Sequence, residues 1–219
     1  PSGGAGIQAD LKTFAALGVH GMAALAGLTV QNTQGVRAAS PIDPGFVVAQ
    51  VEAVLDDIEV HATKLGMLTN AGIAGAVADL ITARRADFGF LVLDPVMVAT
   101  SGDRLLADEA VEVVRTRLLP LADLITPNVP ETSVLAGSSP AGDSSELQAQ
   151  AERIVTTGAR AVLAKGGHLT GKELTDLLVM PNGTARFTGA RVNTRNTHGT
   201  GCTLSSAIAA TAARTGIAP

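Results

Sequence analysis

Residues 193–207, NTRNTHGTGCTLSSA, contain the pattern that decides the fold and the site. A polar run from Asn193 to His198 leads into the glycine turn Gly199-Thr200-Gly201, and Cys202 then opens a run of small, helix-compatible residues from Thr203 to Ala213. Glycines directly before a helix let the backbone turn its N–H groups toward one point, and the first four N–H groups of a helix have no partner inside it. The helix dipole adds partial positive charge there, so this stretch predicts an anion site suited to a phosphate.

Cys202 is the only cysteine of the chain and stands at the mouth of this predicted site. A thiol at a helix N-terminus loses its proton more readily than a free thiol, which predicts a reactive group. The competing explanation is a buried cysteine at the start of an ordinary helix, because free cysteine is among the most buried residue types. The preceding glycines and the polar approach favour the reactive cysteine.

The segment NTHGTGCT, residues 196–203, resembles the anion-hole signature of the ribokinase-like small-molecule kinases. Within that superfamily it is similar to the hydroxymethylpyrimidine and hydroxymethylpyrimidine-phosphate kinases of thiamine biosynthesis, which commonly have Cys where most other members have Asp. The resemblance extends from PSGGAGIQADLKTF, residues 1–14, to the final helix. It implies one ribokinase-like kinase domain over residues 1–219, lacking a strand before the PSGGAG turn and further helices after the last one.

The composition limits the other classes of function. With 219 residues, 46% of them hydrophobic, and a mean hydropathy of +0.31, the chain suits one α/β domain with a large core. It has no run of eighteen apolar residues that would span a membrane. A net charge of -4 and scattered basic residues give no case for nucleic acid. A single cysteine fits a reducing cytoplasm, where we expect a homodimer that acts on a small molecule.

Strand-like and helix-like segments alternate about six times along the chain, which predicts a three-layer α/β sandwich with a mainly parallel sheet and helices on both faces. The turn Pro181-Asn182-Gly183 predicts an antiparallel hairpin attached to that sheet. Helices are predicted at Ile7–Leu17, Pro44–Ile58, Ile73–Arg85, Glu109–Leu118 and Glu146–Thr156, and strands at Met22–Val30, Ala62–Leu65, Phe90–Leu93, Asp123–Thr126 and Arg160–Ala164.

Four residues are candidates for binding the substrate. Gln31 follows the predicted strand Met22–Val30, and ligands of open α/β sheets bind beyond the carboxyl ends of the strands. An amide offers both a donor and an acceptor, which suits the edge of an aminopyrimidine, although an ordinary polar turn is the alternative. The resemblance assigns Gln31 to the pyrimidine and places Met67 in the same pocket. Val96, after an apolar strand, and Gly4, in the first glycine turn, complete the predicted substrate residues.

A second group of residues is predicted to act on ATP and Mg²⁺. The Asn-x-x-Glu spacing of Asn128 and Glu131 resembles the superfamily motif for Mg²⁺ and phosphate, and a helix cap with a first-turn acid is the alternative. Mg²⁺ usually keeps several waters, so we expect Glu131 to act through water. Asp94, at the carboxyl end of a predicted strand, is a second metal candidate. The resemblance assigns Lys165 of the KGGH segment to nucleotide phosphates, and Thr197 is predicted to bind phosphate as well.

The resemblance implies ATP-dependent phosphorylation of 4-amino-5-hydroxymethyl-2-methylpyrimidine and then of its monophosphate. Cys202 is the predicted base for the substrate hydroxyl, and the backbone N–H groups of Gly199, Thr200, Gly201 and Cys202 are predicted to hold the developing negative charge. A pyridoxal or pyridoxine kinase of the same superfamily is the nearest alternative. Two others stay open: a cysteine-nucleophile acyl-transfer enzyme that pairs Cys202 with His198, and a non-catalytic nucleotide-binding module.

Overall fold

The computed structural model describes residues 2–32, 35–97, 108–171, 173–194 and 197–217. Six strands form the larger sheet: β3 (Ala62–Leu65), β4 (Phe90–Leu93), β5 (Leu124–Ile125), β6 (Val162–Ala164), β7 (Glu173–Met180) and β8 (Gly183–Ala190). They lie in the order β3-β4-β5-β6-β7-β8. β3 to β6 pair in parallel, whereas β7 and β8 pair antiparallel. The mainly parallel sheet with an antiparallel hairpin is therefore confirmed.

The helices lie close to their predicted positions. Among the described residues, they are α1 (Gly6–Ala16), α2 (Pro44–Leu55), α3 (Ala71–Ala83), α4 (Asp108–Val113), α5 (Val129–Ala136), α6 (Ser144–Thr156) and α7 (Thr200–Thr215). α4 continues into a π-helical turn, Val114–Leu118. Within the described part of the chain, no helix combines the length and apolar character needed to cross a bilayer.

Side-chain caps explain where two of these helices begin. Asn70 accepts the N–H of Ile73 at 2.9 Å, and Asp143 accepts the N–H of Glu146 at 2.9 Å. The sequence patterns start the same helices at Ile73 and Glu146, two residues later than their first helical residues. The difference arises because a capped first turn does not have to carry the apolar periodicity of the helix.

The central strand β4 explains the layering. Leu91 and Leu93 are buried in the main core together with Ile73 and Ile81 of α3. Val92 lies between them on the opposite face of the strand and is fully buried as well. α7 packs on β3 and β4. Helices therefore cover both faces of the sheet, as the continuous apolar run Phe90–Leu93 predicts.

A separate two-stranded antiparallel sheet is formed by β1 (Gly27–Asn32) and β2 (Gly35–Pro41). The predicted strand Met22–Val30 is wrong in its first half, because regular structure begins only at Gly27. The segment before it is rich in alanine, which has low strand propensity, whereas Thr29 and Val30 favour a strand. Gln31 is therefore not beyond a strand of the main sheet but inside β1, next to a register shift.

Candidate active site

Two glycine turns meet at the carboxyl end of the parallel strands. α7 begins after Gly199, which has a left-handed conformation with φ 81°. A Cβ atom on Gly199 would lie 1.6 Å from the carbonyl oxygen of Gly4, so the two backbones are in direct contact. A Cβ atom on Gly4 would in turn lie 2.7 Å from Cδ2 of His198. Position 199 therefore requires glycine, whereas a side chain at Gly4 would require His198 to move. The N-termini of α1 and α7 are held side by side.

The first turn of α7 is closed by its own backbone and hydroxyl groups. The carbonyl oxygen of Thr197 accepts hydrogen bonds from the Thr200 N–H at 3.3 Å and the Thr200 hydroxyl at 3.0 Å. Thr203 donates both its N–H and its hydroxyl to the Gly199 carbonyl at 2.9 Å. These bonds fix the backbone of the Gly199-Thr200-Gly201 turn, so the helix start is a formed feature of the fold.

Cys202 lies in this first turn and is partly buried. The backbone N–H of Gly6 favours the thiolate and acts to lower the pKa of Cys202. Burial raises the pKa of the Cys202 thiol above its ordinary value, and the positive charge of Lys64 opposes that rise only in part. The predicted lowering of this pKa is therefore wrong, because desolvation of the thiolate outweighs the favourable charges around it.

Lys64 and Asp10 form a buried ion pair near Cys202 that the sequence analysis did not find. Lys64 Nζ lies 3.1 Å from both carboxylate oxygens of Asp10. Ser206 Oγ donates to Asp10 Oδ1 at 2.7 Å. The available signal was a lysine inside the short apolar strand Ala62–Leu65, where a charged side chain is unusual unless it has a partner.

Lys165 and Asp94 form a second ion pair near the α7 N-terminus. Their Nζ and Oδ1 atoms are 3.2 Å apart. Asp94 is buried, and its carboxylate also accepts the hydroxyls of Thr126 and Ser205, each at 3.2 Å. A Cβ atom on Gly201 would lie 3.3 Å from Lys165 Nζ. The fold thus brings the predicted phosphate-binding lysine to the glycine turn of α7.

Asn128 and Glu131 form a reciprocal capping box at the start of α5. Asn128 accepts the N–H of Glu131 at 2.9 Å, and Glu131 accepts the N–H of Asn128 at 2.8 Å. Burial raises the pKa of Glu131 to about 7, although the charge of Lys165 acts to lower it. The helix-cap explanation is therefore correct for the local structure. An additional role of Glu131 toward Mg²⁺ through water stays a prediction.

Three of the four predicted substrate residues line one cavity of about 570 Å³, namely Gln31, Met67 and Val96. Cys202 and Lys64 line the same cavity. The Thr29 hydroxyl donates to Gln31 Oε1 at 3.2 Å, which orients the amide. Gly4 does not line this cavity, and its place there is taken by the neighbouring residues Ala5 and Gly6.

Within the described ranges, no group of three or more His, Cys, Asp or Glu side chains is arranged to hold a metal ion. Asp94 and Glu131 are nevertheless near enough that the negative charge of Asp94 acts to raise the pKa of Glu131. Two carboxylates together with substrate phosphates are a sufficient ligand set for Mg²⁺, which keeps several of its waters. The residues present therefore fit Mg²⁺ bound between the protein and the nucleotide.

Residues 1–217 match the family model described as phosphomethylpyrimidine kinase. A hydroxymethylpyrimidine/phosphomethylpyrimidine kinase of Rhizobium meliloti (strain 1021) is 50% identical over 95% of this chain and 77% of its own length. The "Thiamine biosynthesis bifunctional protein ThiED" of Geobacter sulfurreducens is 46% identical over 94% of this chain and 42% of its own length.

Solved structures agree with these relatives. The phosphomethylpyrimidine kinase of Clostridium difficile 630 has a TM-score of 0.84 and 39% identity, covering 97% of this chain and 86% of that one. A pyridoxal kinase of Staphylococcus aureus, solved with AMP-PCP and pyridoxal, has a TM-score of 0.87 and 30% identity, covering 97% and 76%.

The fold is thus that of a small-molecule kinase with a ribokinase-like α/β sandwich. The chain belongs to the phosphomethylpyrimidine kinase family. Because this is a family of phosphotransferases, the acyl-transfer and non-catalytic alternatives are not supported. His198, the proposed partner of an acyl-transfer cysteine, instead packs against Gly4.

Proposed function

We propose that this protein phosphorylates the hydroxymethyl oxygen of 4-amino-5-hydroxymethyl-2-methylpyrimidine with ATP, and then phosphorylates the resulting monophosphate, in thiamine biosynthesis. One observation carries the proposal beyond family membership. Lys165 and Asp94 lie beside the first turn of α7, and the same turn contributes Cys202 to the cavity that Gln31 lines. A phosphoryl group at this helix N-terminus would lie between a nucleotide side and a substrate side.

The residues of the chain divide the chemistry among them. Cys202 takes the proton of the substrate hydroxyl while the oxygen of that hydroxyl attacks the γ-phosphorus. The backbone N–H groups of Gly199 to Cys202 hold the oxygens of the transferred phosphoryl group. Lys165 neutralises phosphate charge, and Thr197 supports the phosphate-binding turn. Asp94 and Glu131 would hold Mg²⁺, and this ion would supply further neutralisation of phosphate charge. Positioning and electrostatics account for most of the catalysis in phosphoryl transfer.

The substrate side combines a few polar groups with apolar walls. The Gln31 amide, oriented by Thr29, hydrogen-bonds the edge of the pyrimidine, while Met67 and Val96 pack against the ring. Such a mixture of a predominantly apolar lining and a few placed polar groups is typical of small-molecule sites.

We also propose that the protein is a homodimer working in the reducing cytoplasm. Support for the dimer comes from the β1–β2 sheet, where the side chains of Leu28 and Val30 are exposed on one face. Exposed apolar side chains on a small two-stranded sheet favour burial against another copy of the chain. Sedimentation of the wild type and of Leu28→Glu checks this, and a monomeric wild type contradicts it.

An ATP-coupled assay of the full gene product on the hydroxymethylpyrimidine, its monophosphate and pyridoxine tests the function directly. The proposal predicts that both pyrimidines are phosphorylated with higher kcat/KM than pyridoxine. A preference for pyridoxine would instead establish the pyridoxal kinase alternative, which the structural similarity to Staphylococcus aureus pyridoxal kinase makes the nearest rival.

A further inference from the structure

A lysine is buried beside Cys202 without a role in the steps described above. Lys64 belongs to the short strand β3, and its side chain is only 4% exposed. Its ammonium group makes two hydrogen bonds of 3.1 Å to the Asp10 carboxylate. A buried ammonium group is costly unless it is paired, so a lysine at this position needs a reason beyond packing.

The two helices that meet at the glycine turns contribute matched pairs of residues. Gly6 and Asp10 are four residues apart on α1, and Cys202 and Ser206 are four residues apart on α7. The Ser206 hydroxyl donates to Asp10 at 2.7 Å, and the Gly6 N–H favours the thiolate form of Cys202. Residues four apart share a helix face, so α1 and α7 present these groups together. Lys64 approaches the same groups from β3, on which α7 packs.

The position of the ammonium group is also set by the turn after β3. A Cβ atom on Gly66 would lie 3.0 Å from Lys64 Nζ, so the missing side chain at Gly66 leaves the space that this group occupies. Burial acts to lower the pKa of Lys64, but the negative charges of Cys202, Asp10 and Asp94 outweigh burial and raise it. The lysine therefore stays positively charged next to the cavity.

We propose that Lys64, held in place by Asp10 and Ser206, is a positioning residue that supplies the counter-charge for the Cys202 thiolate. The inference rests on the proposed function only in taking that thiolate as the base. The Cys202 thiol first releases its proton to solvent. The thiolate then takes the substrate hydroxyl proton while the hydroxyl oxygen bonds to the γ-phosphorus and ADP departs with the electrons of the broken P–O bond.

The charged groups that face Cys202 have opposing effects on the pKa of its thiol. Lys64 and the Gly6 N–H favour the thiolate, whereas Asp94 and Asp10 disfavour it, and Lys64 has the largest favourable effect. Removing the lysine should therefore make the thiolate harder to form. An opposite charge close to an ionisable group typically moves its pKa by about one to three units.

The composition of the chain makes this effect directly measurable. The protein has one cysteine and neither Trp nor Tyr, so the ultraviolet absorbance of a thiolate and alkylation by iodoacetamide both report Cys202 alone. Both are measured as a function of pH on the full chain without ATP or pyrimidine. Lys64→Met should slow alkylation at a given pH by about tenfold or more. Lys64→Arg, which keeps the charge, should restore most of the rate.

A matched control removes a positive charge elsewhere. Arg115 is exposed and pairs with Glu112 on its own helix, so Arg115→Met should leave alkylation unchanged. Because Lys64→Met leaves the Asp10 carboxylate unpaired and risks misfolding, the double variant Lys64→Met/Asp10→Asn removes both charges. It should still react more slowly than the wild type, because the effect of Lys64 on Cys202 exceeds that of Asp10.

The measurements separate this inference from the proposed function. Alkylation rates and thiolate titrations of the Lys64→Met and double variants within about twofold of the wild type would overturn the role of Lys64. Slower alkylation of these variants, together with full kinase activity of Cys202→Ala, would support the counter-charge and reject Cys202 as the base.

Discussion

The backbone of Gly199 lies directly against the carbonyl oxygen of Gly4, and this contact joins the two turns from which α1 and α7 begin. The positive φ of Gly199 and the space taken by Gly4 both exclude a side chain. Because Cys202 and Lys165 are grouped around this helix start, the contact between the two glycines sets the geometry of the candidate site.

Replacing Gly199 by alanine should therefore reduce both stability and activity. A left-handed conformation alone costs a non-glycine residue about 1–2 kcal/mol. The collision with Gly4 adds to that cost and displaces the turn. Gly216→Ala is the matched control, because Gly216 ends the same helix with φ 64° and a Cβ atom there would meet nothing within 4 Å. Urea unfolding should show a greater loss for Gly199→Ala, and equal losses would mean that the contact contributes nothing.

Replacing Gln31 by leucine should weaken pyrimidine binding and leave ATP binding unchanged. Leucine keeps the size of the side chain but leaves polar groups of the ring unpaired, which costs about 1–3 kcal/mol. The KM for the pyrimidine should rise about tenfold or more, while the KM for ATP stays the same. Gln148→Leu, far along the chain on α6, is the control and should change neither constant. Normal pyrimidine kinetics in Gln31→Leu would remove Gln31 from the site.

Glu131 should make the stability of the protein depend on pH. Its pKa in the folded protein is about 7, against an ordinary value of 4.5. Below 4.5 both the folded and the unfolded states are protonated. As the pH rises toward 7 the unfolded state loses this proton first, so the folded state loses stability. The full loss, reached above pH 7, is about 3 kcal/mol.

Glu131→Gln should abolish this loss, because glutamine is neutral at every pH and keeps most of the capping geometry. Unfolding is measured near pH 5 and near pH 8 without Mg²⁺, and the gain in stability of the variant over the wild type should be much larger at the higher pH. Glu146→Gln is the control, since Glu146 holds the same position in α6 but is exposed. A gain for Glu131→Gln that is independent of pH would contradict the burial of its charge. Loss of kinase activity in this variant, with the fold intact, would support a role toward Mg²⁺.

The sequence predicted best those elements whose signal is local. β3 and β4 have their predicted bounds. For β4 the reason is a short apolar run between polar residues, which marks a strand that is buried on both faces. The β1–β2 sheet was not predicted, because β2 is largely exposed and shows little alternation. Gln31 does line the cavity, but it lies inside β1 and not after a strand of the main sheet, as the sequence predicted.

The missed part of the site depends on contacts distant in sequence. Lys64 and its partner Asp10 are 54 residues apart, and Asp10 and Ser206 are 196 residues apart. No short motif connects them, so only the folded chain brings them together. The predicted direction of the Cys202 pKa shift was wrong for the same reason, because the burial of the thiol depends on the tertiary structure.

The raised pKa of Cys202 has a consequence for the pH dependence of the reaction. At neutral pH most of the thiol is protonated. As long as the pH is below the pKa, each increase of one pH unit raises the fraction of thiolate by up to about tenfold. The kcat of the wild type should therefore rise into the alkaline range. In Cys202→Asp the carboxylate is ionised at lower pH, so this rise should disappear and part of the activity lost in Cys202→Ala should return. A Cys202→Asp profile identical to that of the wild type would mean that another group causes the rise.

The most direct test of Cys202 as the base is the kcat of Cys202→Ala for the hydroxymethylpyrimidine at saturating ATP. Removing a positioned base typically lowers the rate by about 10²–10⁴-fold. We predict a loss on that scale with the KM for ATP unchanged, because the phosphate-binding turn and Lys165 are left intact. A kcat within about tenfold of the wild type would contradict the assignment and leave the backbone N–H groups and Lys165 as the whole of the catalytic site.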